Sequence, residues 1–409
     1  PLNFVGSGMY GTIIDGGAPT KTLRVFNITG AGSAVSIKDL TVQNGKPASG
    51  NGGGIYAAGT LSLTNVAVLS NTTTNADGAG IYAAQALTMT NVNVISNTAQ
   101  TGNPRKGGGV YAGSVARIEG GLFQENVVVP NANSNASGAG LFANAAVVVS
   151  GTQFIGNRNA GLAFSNSGGG GLFANSTVVL TNTQFLSNTV TFGDGGGAYA
   201  NNRLQVAGSL FQGNTTDLGT SRYGGGLNVN NGSATILSTR FIGNLSYRGG
   251  GVAVLNYPAY VTDTLFIANR GAQDGGGIYV SDSPFQGANL LLAGNTAPNG
   301  SALYGFNSSG TTNLSFVTIV SPTVGATSAI YKGGSAGTMN ITNSIVASYT
   351  TAFNRNAGTV NSDYNLYYRT TSSEVTGTHS ITGTNPLFVN PAGGDYHLQG
   401  GSPAAGKGL

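Results

Sequence analysis

The chain has 409 residues, of which 68 are glycine and 7 % are charged, with a net charge of +4, two histidines, no cysteine and no tryptophan. Lysine and arginine do not cluster, which argues against the basic face that nucleic acid requires. Without cysteine there is no disulfide framework and no thiolate metal site.

Low charge would suit a disordered chain. The 40 % hydrophobic content recurs in regular columns, however, which indicates a packed solenoid. No apolar run is long enough to span a bilayer, so no transmembrane segment is expected. In chain order, Thr12-Ile-Ile-Asp-Gly16 reads as strand and turn, and Leu23–Ile28 with Ala34–Gln43 completes a first coil. No polar unit caps that coil. Bare solenoid ends expose apolar surface and unpaired strand edges, so the first coil is expected to be covered by something else.

From Gly52 one phrase keeps returning. It reads GGGIYA at Gly52–Ala57, GAGIYA at Gly78–Ala83, GGGVYA at Gly107–Ala112, GAGLFA at Gly138–Ala143, GGGLFA at Gly169–Ala174 and GGGAYA at Gly195–Ala200. Looser copies start at Gly224, Gly249, Gly275, Gly300 and Ser328. The aliphatic position of this phrase (Ile55, Ile81, Val110, Leu141, Leu172, Ala198, Leu227, Val252, Ile278, Leu303, Ile330) recurs every 25–31 residues. Helical repeats need about 33–47 residues and helix-periodic faces. Here short β-rich runs alternate with Gly, Asn, Ser and Thr.

The first unit divides into strands Gly54–Ala57, Leu61–Asn65 and Val66–Asn71, with Thr72–Asn75 as a polar loop. Each strand pairs in parallel with its equivalent in the next unit. The fold class is all-β: a single-stranded parallel β-helix of about 13 coils of three short strands, a rod on the order of 60 Å long. The helix occupies residues 1–350, with its regular repeats over 52–295, and residues 351–409 form a closing segment that continues it.

Stacking turns each position into a column. The Ile55 column is apolar throughout and faces the core, and alternation turns Ala57 inward as well. The next column faces out: Tyr56, Tyr82, Tyr111, Phe142, Phe173, Tyr199, Asn228, Ala253, Tyr279, Tyr304 and Tyr331. Gly54 and its equivalents are expected on the same outer face, as a smooth floor beside the rings. Ring-on-ring stacking would stabilise the sheet. The same stripe also reads as a flat face for sugars or for another protein.

A second ladder pairs Phe123, Phe154, Phe185, Phe211, Phe241 and Phe266 with an asparagine three residues later. That asparagine column runs Asn71, Asn97, Asn126, Asn157, Asn188, Asn214, Asn244, Asn269 and Asn295. The rings fill the core, and each amide bonds to its own backbone and to the amides above and below. FxxN combined with GG[AG][ILV] resembles the repeats of polymorphic outer-membrane proteins and of the wider group of secreted bacterial right-handed β-helix repeat proteins. The resemblance is strong over about Gly52–Asn295. It implies a right-handed coil and an extracellular or cell-surface location, and it does not imply an activity.

The residue before each glycine run is Asn51, Asp77, Lys106, Ser137, Gly168, Asp194, Tyr223, Arg248 or Asp274. Stacking places Asp77 beside Lys106 and Arg248 beside Asp274, as ion pairs at a solvated edge worth roughly 0–1 kcal/mol each. After Asn295 the asparagine ladder lapses, with Pro322 and Ser348 in its place. Residues 385–408 read NPLFVNPAGGDYHLQGGSPAAGKG, which resembles the closing segment of secreted β-helix proteins with a choice-of-anchor C-terminal region. In that family the segment precedes a surface-anchoring signal, which is expected here to be absent, cleaved or unneeded.

Many β-helix proteins degrade polysaccharides through paired carboxylates, or through calcium-bound aspartates with an Arg or Lys base. The 13 acidic residues are spread along the chain, and the Asp-Asp, Gly-His-Gly and Arg-x-Lys set of polygalacturonases is missing. Both histidines, His379 and His397, lie near the end, and Asp395 beside His397 reads as turn chemistry. Asp15, Asp217, Asp263 and Asp282 stand alone. Gly193-Asp194-Gly and Asp274-Gly-Gly resemble fragments of a calcium-binding nonapeptide but form no array. No catalytic residue, cofactor or metal is expected.

The sequence reading is therefore a non-enzymatic extracellular structural protein that self-associates head to tail into a fibre, sheath or surface layer. The alternatives are an adhesin binding cells or glycans through its aromatic face or loops, and a polysaccharide lyase or hydrolase.

Overall fold

The computed structural model describes all residues except 1, 103–104, 132–133, 162–166, 220, 307–309, 323–325, 372–376 and 409. The chain is all-β, a parallel β-solenoid of about 12 turns, close to the expected count. It divides into two units, residues 1–205 with 209–222, and residues 206–208 with 223–409.

In the first unit, the strand of the repeated phrase recurs as Phe26–Ile28, Ile55–Ala57, Ile81–Ala83, Val110–Ala112, Leu141–Ala143, Leu172–Ala174 and Ala198–Ala200. These pair in parallel and in register, Ile55 with Ile81 and Tyr56 with Tyr82. The second and third expected strands lie in one sheet. In the first coils they are continuous, as Ala34–Gln43 and Thr60–Leu69, and later they split into pairs such as Leu87–Thr90 and Asn93–Ile95. The split falls at a residue with positive φ, Asn91 for example, whose counterpart Asn65 has positive φ within the continuous strand.

The expected polar loop at Thr72–Asn75 is instead a strand. Thr72–Thr74 pairs in parallel with Thr98–Gln100, which pairs with Val127–Val129. Thr73 is buried, and its hydroxyl donates to the Ala76 carbonyl at 2.8 Å. Consecutive threonines are β-branched and extend readily, and coil-to-coil pairing satisfies their backbone.

In the second unit the equivalent strands are Leu227–Asn230, Val252–Leu255, Ile278–Ser281, Leu303–Phe306, Ala326–Gly333 and Tyr349–Arg355, beside long strands such as Phe285–Ala293 and Thr311–Val320. Coils run on to Ile381–Thr382, paired with Leu366–Tyr368. The closing segment then changes pattern. Phe388–Asn390 pairs antiparallel with Asp395–Leu398 across a short turn, and Phe388 packs into a cluster with Val320, Ile345 and Leu366.

The core is made of columns. In the first unit Phe123, Phe154, Phe185 and Phe211 are fully buried and stack at 4.6–4.8 Å. In the second, Phe241 and Phe266 stack at 4.9 Å. Each such ring contributes roughly 1.5–3 kcal/mol by burial.

The asparagine column lies beside the rings, also fully buried. Asn97 is representative. Its Nδ2 donates to Asn126 Oδ1 at 3.0 Å and to the Val68 carbonyl at 2.9 Å, and its backbone N–H donates to the same Asn126 oxygen at 3.1 Å. The pattern repeats through Asn71, Asn126, Asn157 and Asn188 in one unit and through Asn244, Asn269 and Asn295 in the other. Both amide hydrogens and the amide oxygen are used, so a polar group is buried at little cost.

Candidate functional site

The aromatic stripe is the principal candidate from the sequence. Its rings stack, and Phe142, Phe173 and Tyr199 form a buried cluster of their own with Tyr111 packed against it. In the first unit the centroid distances from Tyr56 through Tyr82, Tyr111, Phe142 and Phe173 to Tyr199 run from 4.6 to 5.6 Å. In the second unit Tyr279, Tyr304 and Tyr331 stack at 5.4 and 5.0 Å.

The stripe is not an open flat face. Phe142, Phe173 and Tyr199 are buried at 1 %, 5 % and 8 % exposure, as is Tyr279 at 4 %, while Tyr56, Tyr82, Tyr111, Tyr304 and Tyr331 are half-buried. The residues ahead of the glycines close over the rings. They pair coil to coil, Lys106 with Ser137, Ser137 with Gly168 and Gly168 with Asp194. The Lys106 ammonium lies 4.7 Å from the centre of the Phe142 ring. Burial pushes the Tyr82 and Tyr111 phenols above their ordinary value, and that of Tyr304 up to about 12.

The glycine floor is also corrected. A methyl group on Gly54 would meet Asn71 Cγ at 2.9 Å, one on Gly109 would meet Val94 Cγ1 at 2.9 Å, and one on Gly171 would meet the Phe185 ring at 2.8 Å. These glycines therefore face the core. The strand begins only at Ile55, and Gly53 and Gly54 lie in the bend that follows the left-handed Gly52 (φ +71°), so the strand alternation from which an outward position was read does not extend to Gly54.

Of the two expected edge ion pairs Arg248–Asp274 forms, Asp77 takes a different partner, and both sites are more enclosed than expected. Asp77 pairs with Arg105 at 3.3 Å rather than with the Lys106 ammonium, and accepts the Lys106 backbone N–H at 3.0 Å. Burial raises the Asp77 carboxyl above the ordinary carboxylate range. In the second unit Arg248 pairs with Asp274 at 2.8 Å and donates to the Tyr223 hydroxyl at 3.1 Å. Asn299 donates to the other Asp274 oxygen at 2.9 Å.

The sequence reading passed over Lys332, which is buried at 1 % exposure and donates to the Gly333 and Ala336 carbonyls, both at 2.6 Å. Both histidines are held by aspartates through Nδ1, His379 by Asp363 at 2.8 Å and His397 by Asp395 at 2.6 Å. Asp395 also accepts the His397 backbone N–H, a local turn bond. Among the described residues no three His, Asp or Glu side chains converge as a metal-ion ligand set. Among the described residues no helix is long and apolar enough to cross a membrane. No protein-family model matches the chain, and no curated protein is significantly similar to it.

Proposed function

We propose that this chain is a non-enzymatic structural protein of the extracellular surface, a β-solenoid that self-associates into a fibre, sheath or layer. The observation that carries this reading is how the polar side chains are used. Among the described residues, five aspartates bond to the neighbouring coil: Asp15 to Gln43 and Asn44, Asp39 to Asn65, Asp77 to Arg105, Asp263 to Asn289, and Asp274 to Arg248 and Asn299. This chemistry holds coils together and leaves little for turnover.

The resemblance to secreted repeat proteins supports the location, and the low charge supports close approach of copies. Leu237, Tyr257 and Tyr260, each 41–45 % exposed on the second unit, supply apolar contact area. Negative-stain electron microscopy with light scattering tests this reading. Ordered polymers are the expected result, and a stable monomer at all concentrations overturns it.

Adhesion is the second reading, favoured by the half-exposed, stacked Tyr56, Tyr82 and Tyr111. Saturable binding of cells or glycans that is lost on changing all three to alanine would establish it. Binding unaffected by those changes would exclude the stripe.

A further inference from the structure

Where the second-sheet strand bends, successive coils carry a residue in the left-handed backbone region. In the first unit this column holds Asp39, Asn65, Asn91, Gly120, Gly151 and Asn182, with φ between 50° and 65°. In the second unit Ser238, Asp263 and Asn289 continue the pattern with φ of 48–53°. These are the small or self-bonding residues that tolerate that conformation.

Register places Phe316, Asn343 and Tyr364 at the same point of the next three coils. Phe316 and Tyr364 have φ of 54° and 56°. A bulky ring there is strained, and Phe316 gains no compensating burial, since it remains 58 % exposed. Strained aromatic side chains, one exposed and one half-buried, in a column otherwise made of Asn, Asp, Gly and Ser point to a role other than folding.

The surroundings support that role independently. His379 lies flat on Tyr364, with centroids 4.4 Å apart and planes within 8°. Asp363 fixes it, accepting from His379 N at 3.0 Å and holding Nδ1 at 2.8 Å. Phe316, Asn343, Tyr364, His379, Leu398 and Lys407 line a groove of about 500 Å³.

We propose that this groove binds an oligosaccharide. The C–H faces of its rings would lie on Phe316 and on the Tyr364–His379 stack, and a hydroxyl would meet His379 Nε2, the nitrogen that Asp363 does not hold. The two platforms stand two coils apart, about 10 Å. That separation matches every second ring of an extended glycan chain, whereas a single flat aromatic ligand needs facing rings much closer together. The groove uses none of the stripe residues and does not depend on assembly.

The test is to pass the purified full chain over immobilised neutral and uronate-containing oligosaccharides, then to titrate the best-retained oligomer calorimetrically into Phe316→Asn and Tyr364→Asn. Asparagine suits the left-handed backbone, so the melting temperature should hold or rise in both variants. Affinity should fall about tenfold or more in each. Retention of no oligosaccharide, or unchanged affinity in either variant, overturns the proposal.

Discussion

The regular coils of the first unit and the closing coils of the second solve one corner differently. In the regular coils the third glycine of each run lies against the ladder asparagine of its own coil. A methyl group on Gly80 would sit 3.0 Å from Asn97 Cγ, and one on Gly140 would sit 3.2 Å from Asn157 Cγ. In the closing coils that glycine becomes Ala302 and then Ala329. The ladder position becomes Pro322 and then Tyr349, with Ser348 taking the preceding left-handed place at φ 67°. Tyr349 is 1 % exposed, and its hydroxyl donates to the Val320 carbonyl at 3.4 Å. The third glycine and the asparagine leave together, so that glycine serves the amide ladder, while the first, Gly300, keeps its left-handed place at φ +62°.

The largest effect expected from this comparison is at the ladder. Asn126→Ala strips an acceptor from Asn97 and donors from Val94 and Asn157. At about 1–3 kcal/mol for each orphaned buried group, the loss should reach about 4 kcal/mol or more in urea unfolding. Tyr349→Phe removes one long hydrogen bond and should cost under about 1.5 kcal/mol. Equal costs would break the comparison.

Phe154→Ala empties part of the ring column and should cost about 3–5 kcal/mol by the same measurement. Next comes the corner itself. Gly140→Ala forces a methyl group to within 2.5 Å of the Gly171 carbonyl oxygen, and should destabilise by more than about 2 kcal/mol. The reverse change in the closing coils, Ala302→Gly, should cost only about 0.5–1 kcal/mol of chain entropy.

The smallest effect concerns Asp77, whose carboxyl burial raises above its unfolded value. A raised carboxylate loses stability as pH climbs through the folded value. Asp77→Asn should therefore match or slightly exceed the parent in melting temperature at pH 7. That gain should vanish at about pH 3, where the parent carboxyl is protonated. A clear loss at pH 7 would mean that the Arg105 pair outweighs desolvation.

Much of this was legible in the residues. Recurrence every 25–31 positions determined the parallel solenoid, because identical side chains can stack only when each coil repeats the last. The Phe123–Phe211 and Asn71–Asn214 columns follow from the same arithmetic. Groove residues Phe316 and Tyr364 left a trace too, as aromatics where other coils place Asn, Asp, Gly or Ser.

Tertiary structure decided the rest. Alternation holds only along an unbroken strand, and Gly54 lies in the bend before the strand that starts at Ile55, so its inward turn was beyond any period-two reading. Thr72–Thr74 became a strand because Thr98–Gln100 lay in register to pair with it. Arg105 rather than Lys106 met Asp77, and residues ahead of the glycines covered Phe142, because segment length and backbone path set those contacts. Local sequence determined the coil and its columns. What covers each column depended on contacts between residues far apart in the chain.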